Sequence, residues 1–205
     1  MPVTGAIVRP TEASDIDGVV ALQRSCFPPP FPEDLLWEPS HIRAHIDQFP
    51  EGQFVAVLDG TIVASATNML MTEKNWHAHL SWQEATGGLA LPHHDPSGTT
   101  LYGIDISVHP EMRGRGIARQ LYEARFHLVR SQKYTRYGTV CRMPDYRRSD
   151  CPTPEDYAQA VVRREFVDRT LTPLLRLGLT YVGLIPGYLE DPESADTGAI
   201  LEWNP

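Results

Sequence analysis

The chain has 205 residues, of which 41% are hydrophobic and 21% are charged, and its formal net charge at pH 7 is -8. This length can bury one sizeable core, so we expect one domain over residues 1–205, with insertions at about 72–99 and 143–154. The acidic balance argues against general nucleic-acid binding, and no apolar run approaches the ~20 residues that cross a bilayer.

The N-terminal sequence and the spacing of the cysteines indicate in which cellular compartment the protein is expected. Residues 1–15 lack the basic start and the long apolar stretch of a signal peptide, so we expect a cytoplasmic protein. Cys26, Cys141 and Cys151 show neither CxxC nor CxxH spacing, which favours reduced thiols over a disulfide framework or a zinc site.

The first third of the chain predicts two helices and three strands. A short strand over Ala6–Arg9 precedes a helix that Thr11 or Ser14 can cap and that runs to about Arg24. A second helix is predicted from about Glu33 to Asp47, with Pro39 as the point where it would break. Asp59-Gly60 then predicts a hairpin between the strands Gln53–Leu58 and Thr61–Leu70.

Residues 72–99 lose this periodicity, which is typical of a functional lid or a disordered insertion. The H-x-H spacing there can bind zinc, but its two halves are separated by a Pro-containing stretch, so solvated or lid histidines are favoured over a metal site. The residues concerned are His77, His79, His93, His94 and Asp95. Trp76 and Trp82 are interpreted as hydrophobic anchors of the segment.

The rest of the chain returns to clear patterns. In Leu101–Val108 the even positions are apolar, which predicts a strand, and Ile117, Leu121, Ala124 and Leu128 form the stripe of an amphipathic helix. The remaining predicted elements are a strand Tyr137–Met143, a helix from Thr153 to Val167, a short helix Thr170–Leu177 ending at Gly178, and strands Leu179–Leu184 and Thr197–Trp203. This order predicts a mixed α/β sheet covered by helices on both faces.

Positive charge and glycine concentrate at the corner between the Leu101–Val108 strand and the helix after it. Arg113, Gly114, Arg115 and Gly116 precede Ile117 and Ala118, so free N–H groups, the positive end of a helix dipole and two guanidinium groups meet there. The order of residues matches neither GxxxxGK[ST] nor GxGxxG. The corner is interpreted as a diphosphate cradle, the alternative being an ordinary solvated helix start.

The run Arg113-Gly114-Arg115-Gly116-Ile117-Ala118 resembles the R/Q-x-x-G-x-G/A acyl-CoA loop of the GNAT N-acetyltransferases. As in that family, the loop follows a strand ending in V-x-P, here Val108-His109-Pro110, and the resemblance covers nearly the whole chain. More narrowly, LYGIDISVHPEMRGRGIARQLYEAR and GLIPGYLEDPESADTGAILEW are similar to GNAT domains joined to nitrilase-type carbon-nitrogen hydrolases.

The resemblance implies a GNAT-like, mostly antiparallel sheet whose middle strands splay apart, with acetyl-CoA as cosubstrate. Pantetheine would pair with the backbone of Ile106 and Val108, and the diphosphate would lie on the amides of residues 113–118. A primary amine, on a small molecule or a peptide, would attack the thioester directly, and an N–H near Val108 would stabilise the oxyanion.

Two family features are missing. Many members carry a Tyr four residues before the glycine that ends the late helix, where it protonates the leaving thiolate; here that position holds Leu174. The Asn that commonly follows the next strand is also absent. Asp105 is the candidate base, although a structural role for this carboxylate is equally open. Tyr146 and Tyr188 are the reserve candidates for the acid.

A second class of function therefore stays open, a non-catalytic acyl-CoA-binding or regulatory module. No nucleic acid, membrane or metal is expected as a partner. The sequence leaves the acceptor amine and the oligomeric state open, a homodimer being allowed.

Overall fold

The computed structural model describes residues 5–29, 31 and 33–205, and within them seven strands form one sheet. The strands are β1 (Ile7–Pro10), β2 (Phe54–Leu58), β3 (Thr61–Met71), β4 (Thr100–Val108), β5 (Arg136–Cys141), β6 (Thr180–Pro186) and β7 (Thr197–Trp203). Their order is β1-β2-β3-β4-β5-β7-β6, and every pairing is antiparallel except β4 with β5. The predicted mixed, mostly antiparallel sheet is confirmed.

Helices cover both faces of this sheet. They are α1 (Ile16–Cys26), α2 (Pro39–Gln48), α3 (Glu73–His77), α4 (Trp82–Thr86), α5 (Ile117–Gln132), α6 (Pro154–Val162) and α7 (Leu171–Arg176). Neighbouring residues of a strand point to opposite faces of the sheet. Leu70 packs in one core cluster with α5, α6 and α7, whereas its neighbour Met69 packs in another with α3 and α4. The helices α1 and α2 cover the same face as α3 and α4. Val55 packs against α1 and α2, whereas its neighbour Ala56, which points to the opposite face, packs in the α5 cluster.

Several predicted boundaries were wrong for local reasons. The helix expected from Thr153 ends at Val162 rather than Val167, because Arg164 has a φ of 65°. The helix expected from Glu33 begins at Pro39, the first-turn position that proline favours. Neither Thr11 nor Ser14 caps the first helix; instead the Asp15 carboxylate accepts a hydrogen bond from the Glu12 N–H at 2.8 Å.

The 72–99 segment is anchored to the sheet, so the prediction of a disordered insertion was wrong. Arg136 of β5 donates two hydrogen bonds to the Glu73 carboxylate, at 2.7 and 2.8 Å. The Trp76 ring lies on Gly138, where an added Cβ would come within 2.5 Å of the ring. Trp76 is therefore the hydrophobic anchor that was expected.

A β-bulge interrupts the ladder between β3 and β4. Thr67 pairs with Asp105, but the next residue of β3, Asn68, pairs with Gly103, which leaves Ile104 as the extra residue. The alternation of β4 therefore changes face at this point. Unbroken alternation would place all its apolar even positions on one face, but Tyr102 and Ile104 pack on the α3/α4 side, whereas Ile106 and Val108 pack in the α5 cluster.

A buried arginine of α5 stabilises the bulge through hydrogen bonds to both strands. Arg125 is 1% exposed, and its Nη2 donates to the carbonyl oxygens of Thr67 at 3.2 Å and of Asp105 at 2.5 Å. Its guanidinium also lies over the rings of Tyr122 and Tyr137, at 5.0 and 5.4 Å from the centroids. One cation thus joins the two strands at the place where their regular pairing fails.

The strands β4 and β5 separate at the bulge. The parallel ladder runs from Thr100–Arg136 to Gly103–Thr139 and ends there, while β4 continues to Val108. The splayed middle strands are thereby confirmed, and the wedge between them is called the fork from here on.

We expect Gly138→Ala to lower the free energy of unfolding by about 1–3 kcal/mol, since the new methyl group overlaps the Trp76 ring. Gly183→Ala is the matched control in another strand, because the nearest atom to its Cβ would be 4.0 Å away. Urea titration of both variants checks this, and equal stability of the two would contradict the anchoring of the 72–99 segment.

We expect Arg125→Met to destabilise the protein by about 1–3 kcal/mol, because two buried carbonyl groups lose a charged donor while the apolar stem is kept. Arg125→Lys should recover part of the loss. Arg130→Met, an exposed change on the same helix, is the control. Thermal melts that do not separate Arg125→Met from Arg130→Met would show that the bulge does not need the guanidinium.

Candidate functional site

The free edge of β4 faces the fork. The His109 N–H donates to the Val63 carbonyl of β3 at 2.9 Å, and successive backbone groups of a strand point to opposite edges, so Val108 faces away from β3. The Val108 carbonyl accepts a hydrogen bond from Arg113 Nε at 3.1 Å and one from Cys26 Sγ at 3.3 Å. Ile106, two residues earlier, has the same orientation. An extended ligand in the fork could therefore pair with this edge.

The corner after β4 is exposed over residues 113–116 and leads directly into α5. Gly114 and Gly116 have φ values of 73° and 83°, which side chains with a Cβ rarely adopt. Gly116 is the N-cap of α5, and no side chain in the described residues caps that helix. The first amides of a helix have no intrahelical acceptor, so those of Ile117 and Ala118 remain available to an anion.

The two arginines of the corner are both exposed. Arg113 donates to the Val108 carbonyl, so its guanidinium lies beside the fork. Arg115 lies between the two glycines. The structure thus brings together the strand edge and the corner that the sequence predicted as parts of one site, and whether a ligand uses them stays a prediction.

Asp105 lies beside the bulge, next to the fork. Its Oδ2 accepts a hydrogen bond from Ser107 Oγ at 2.9 Å. Burial of the carboxyl group raises its pKa above the usual 3.8, while Ser107 and the nearby charge of Arg125 act in the opposite direction. The residue keeps part of its surface exposed. A carboxylate in this setting can accept a proton at a higher pH than an ordinary aspartate.

Cys26 and Arg125 belong to the same neighbourhood and were missed in the sequence. Cys26 is the last residue of α1, and burial raises the pKa of its thiol above the usual 9.0, so the thiol is neutral at pH 7. Its contact with Val108 spans 82 residues, and no local pattern indicates it. Burial of Arg125 could have been suspected from the sequence, because this arginine lies next to the apolar stripe of α5.

The candidates for the general acid lie in different surroundings. The Tyr188 hydroxyl is 2.8 Å from that of Tyr102, and burial raises the pKa of Tyr188 well above 10.0, which makes it a reluctant proton donor. Tyr146 is buried and packs against the Tyr157 ring. Leu174, where many family members carry a tyrosine, is a buried core residue.

The histidines of the 72–99 segment divide into two kinds. His94 is stacked on Phe49 and its Nδ1 accepts from the Leu70 N–H at 3.1 Å, so the expectation of a solvated side chain was wrong for this residue. His77 and His79 are exposed. Across the described ranges, no group of three or more His, Cys, Asp or Glu side chains is placed to hold a metal ion.

None of the helices in the described part of the chain is long and apolar enough to cross a membrane. The cytoplasmic location and the homodimer stay predictions.

Comparisons with known proteins identify the family. Residues 16–150 match the model of the Acetyltransferase (GNAT) family. The uncharacterized N-acetyltransferase YkwB of Bacillus subtilis (strain 168) is 34% identical over 197 residues, which are 96% of this chain and 87% of YkwB. The probable hydrolase YhcX of the same organism is 33% identical over 97% of this chain but only 38% of its own length. The name of YhcX agrees with a GNAT-like region joined to a hydrolase, and the nitrilase type of that hydrolase stays a prediction.

Solved structures agree on the fold over nearly the whole chain. The loading GNATL domain of CurA from Lyngbya majuscula superposes with a TM-score of 0.82 at 19% identity, covering 98% of each chain. The GphF GNAT-like decarboxylase in complex with isobutyryl-CoA has a TM-score of 0.81 at 25% identity, covering 97% of this chain and 98% of its own. YncA of Salmonella typhimurium, a putative acetyltransferase solved with acetyl-CoA, has a TM-score of 0.60 at 13% identity, covering 98% of this chain and 94% of its own. With the family match and the YkwB relationship, these likenesses lead to one conclusion: the chain belongs to the GNAT family of acetyltransferases.

Proposed function

We propose that this protein transfers an acetyl group from acetyl-CoA to a primary amine by direct attack in a ternary complex. The observation that carries the proposal is the open edge of β4 ending beside the uncapped start of α5. An acyl-CoA needs both features, an extended edge for its pantetheine arm and N–H groups for its diphosphate.

The proposed cofactor site uses backbone more than side chains. The diphosphate would accept hydrogen bonds from the amides of residues 113–118, with the charges of Arg113 and Arg115 added. Pantetheine would pair with the backbone of Ile106 and Val108, as a further strand does. The Val108 carbonyl would then exchange its hydrogen bonds from Arg113 and Cys26 for one from a pantetheine amide.

The proposed reaction forms one bond and breaks one. The amine nitrogen attacks the thioester carbonyl carbon, the C–N bond forms, the C–S bond breaks, and the CoA thiolate leaves with the electron pair. The proton that the amine loses goes to the Asp105 carboxylate, directly or through a water molecule, and from there to solvent. The Val108 N–H is the proposed donor to the developing oxyanion.

Asp105 is the proposed base because of its position and its environment. The carboxyl group lies next to the fork, and its raised pKa brings it nearer to neutral pH, where a general base is more effective than an ordinary aspartate. The thiolate would take its proton from solvent, since Leu174 stands where many relatives carry the acid. The reserve candidates Tyr188 and Tyr146 are both buried, and the raised pKa of Tyr188 makes it a reluctant donor, so solvent is the proposed source of this proton.

A second candidate function is decarboxylation of a carboxyacyl-CoA. The GphF GNAT-like decarboxylase, at 25% identity, superposes better, with a TM-score of 0.81, than YncA does at 0.60. The two reactions differ in product. Release of free CoA that requires an amine supports acetyl transfer, whereas CO₂ released from malonyl-CoA without an amine supports decarboxylation. Binding of CoA without either product would favour the non-catalytic module.

The cofactor site is tested by Gly116→Val. A β-branched side chain at a φ of 83° strains the backbone and fills the space in which phosphate oxygens would approach the amides. Gly60→Val is the matched control, since Gly60 has a φ of 77° in a hairpin turn with nothing within 4 Å of its Cβ.

Both variants should lose stability through backbone strain, but only Gly116→Val should weaken the binding of CoA, by at least tenfold in calorimetric titration. Equal CoA affinity in the two folded variants would mean that the cofactor does not use the corner.

The base is tested by Asp105→Asn. We expect CoA affinity to be kept and CoA release with an active amine to fall by roughly 10²- to 10⁴-fold. In the wild type, kcat/KM should rise with pH through the pKa of Asp105, above its usual 3.8, because only the ionised carboxylate accepts the proton. The variant should lose that rise. Normal turnover in Asp105→Asn would assign the carboxylate a structural role.

A further inference from the structure

We infer that Cys26 is the general acid of the proposed reaction, the residue whose thiol protonates the CoA thiolate as the C–S bond breaks. The inference rests on the proposed acetyl transfer, and it adds the residue that delivers the solvent proton to the leaving thiolate. Cys26 would thereby do the work of the tyrosine that many relatives carry and that Leu174 replaces in this chain.

Cys26 lies at the edge of the fork, where α1 ends. Its thiol donates a hydrogen bond to the Val108 carbonyl at 3.3 Å, and its side chain is only partly buried, so solvent can reach it. The N–H and the carbonyl of one strand residue point to the same edge, and the Val108 N–H is the proposed donor to the oxyanion. A thiol that contacts the carbonyl of Val108 is therefore close to the thioester that its N–H would hold.

Binding of CoA would release the thiol proton of Cys26 from its present acceptor. When a pantetheine amide takes the Val108 carbonyl, the S–H group loses that hydrogen bond. A thiol is a weak donor, so the exchange costs little. As the C–S bond breaks, the charged CoA sulfur becomes a stronger acceptor than a neutral carbonyl, and the thiol turns to it.

The charges around Cys26 suit a group that gives up a proton only during the reaction. Burial raises the pKa of the thiol above the usual 9.0, and the nearby carboxylate of Asp105 acts in the same direction, whereas Arg113 and the Ser107 hydroxyl lower it. Arg125 of α5 is the other charge that acts on Asp105. Once Asp105 has taken the amine proton, its charge no longer opposes a Cys26 thiolate, so Cys26 becomes a stronger acid when the leaving group needs the proton.

The proton transfer balances. The S–H bond of Cys26 breaks and an S–H bond forms on CoA, so CoA leaves as a neutral thiol and Cys26 remains as a thiolate beside Arg113. Water then returns a proton to Cys26, and Asp105 gives its proton to solvent. The acetyl group is never attached to the protein, because a neutral thiol is a poor nucleophile.

The test compares Cys26→Ala with Cys151→Ala, a matched change at another partly buried cysteine, in the connection between β5 and α6. With acetyl-CoA and an active amine, Cys26→Ala should lower kcat by about tenfold to a hundredfold, because the acid acts only in the transition state. The affinity for CoA should change by less than about twofold. Cys151→Ala should keep both values.

The pH profile separates an acid from a structural side chain. In the wild type, kcat should fall as the pH rises through the pKa of Cys26, above 9.0, since only the protonated thiol donates. Cys26→Ala should lose that fall and keep the rise assigned to Asp105. Cys26→Ser has nearly the shape of the native residue but is a far weaker acid, so it should fold and should not restore turnover.

Normal kcat in Cys26→Ser or in folded Cys26→Ala overturns the inference and leaves the proposed function intact. An acetyl group found on Cys26 by mass spectrometry, after incubation with acetyl-CoA alone, also overturns it, since the thiol would then be a nucleophile. Wild-type protein that binds no CoA, or releases none from acetyl-CoA with any amine, overturns the proposed function and this inference with it.

Discussion

The contact of the Arg125 guanidinium with two backbone carbonyls is the interaction on which the site depends. It holds the bulge in β4, and the bulge has two consequences. It turns Asp105 and Ser107 away from the α5 face, and it lies at the place where β4 leaves β5, directly after the last pair, Gly103 with Thr139. The open strand edge and the candidate base both take their positions from this one irregularity in the sheet.

Such an arrangement is costly for the fold, which is typical of a functional region. A guanidinium that is 1% exposed has lost nearly all its water, and carbonyl dipoles and aromatic faces offset that loss only in part. Arg125 Nε and the Tyr137 hydroxyl nearby are buried without a hydrogen-bond partner among the described residues. A sheet selected for stability alone would have an apolar side chain at this position.

The sequence predicted the parts of this molecule that local pattern determines. Three features could be predicted because each depends on neighbouring residues: the strand alternation, the Asp59-Gly60 hairpin and the Gly114–Gly116 corner. The bulge was not, since β4 has apolar residues at even positions on both sides of it and the pattern does not reveal that the face changes. The contacts of Arg125 with Thr67 and of Cys26 with Val108 join distant segments, and no periodicity encodes them. The 72–99 segment looked irregular because Trp76 and Glu73 stabilise it through contacts with β5.

The salt bridge between Glu73 and Arg136 also determines which parts of the protein can move independently. Arg136 belongs to a central strand, so the 72–99 segment should open together with the sheet and not as a separate cooperative unit, and its amides should exchange at rates close to those of β5. A segment that opens only when the core opens cannot act as a gate during each catalytic cycle. On the proposed function, we expect substrate and product to pass through the wide end of the fork, beside Cys26 and Arg113.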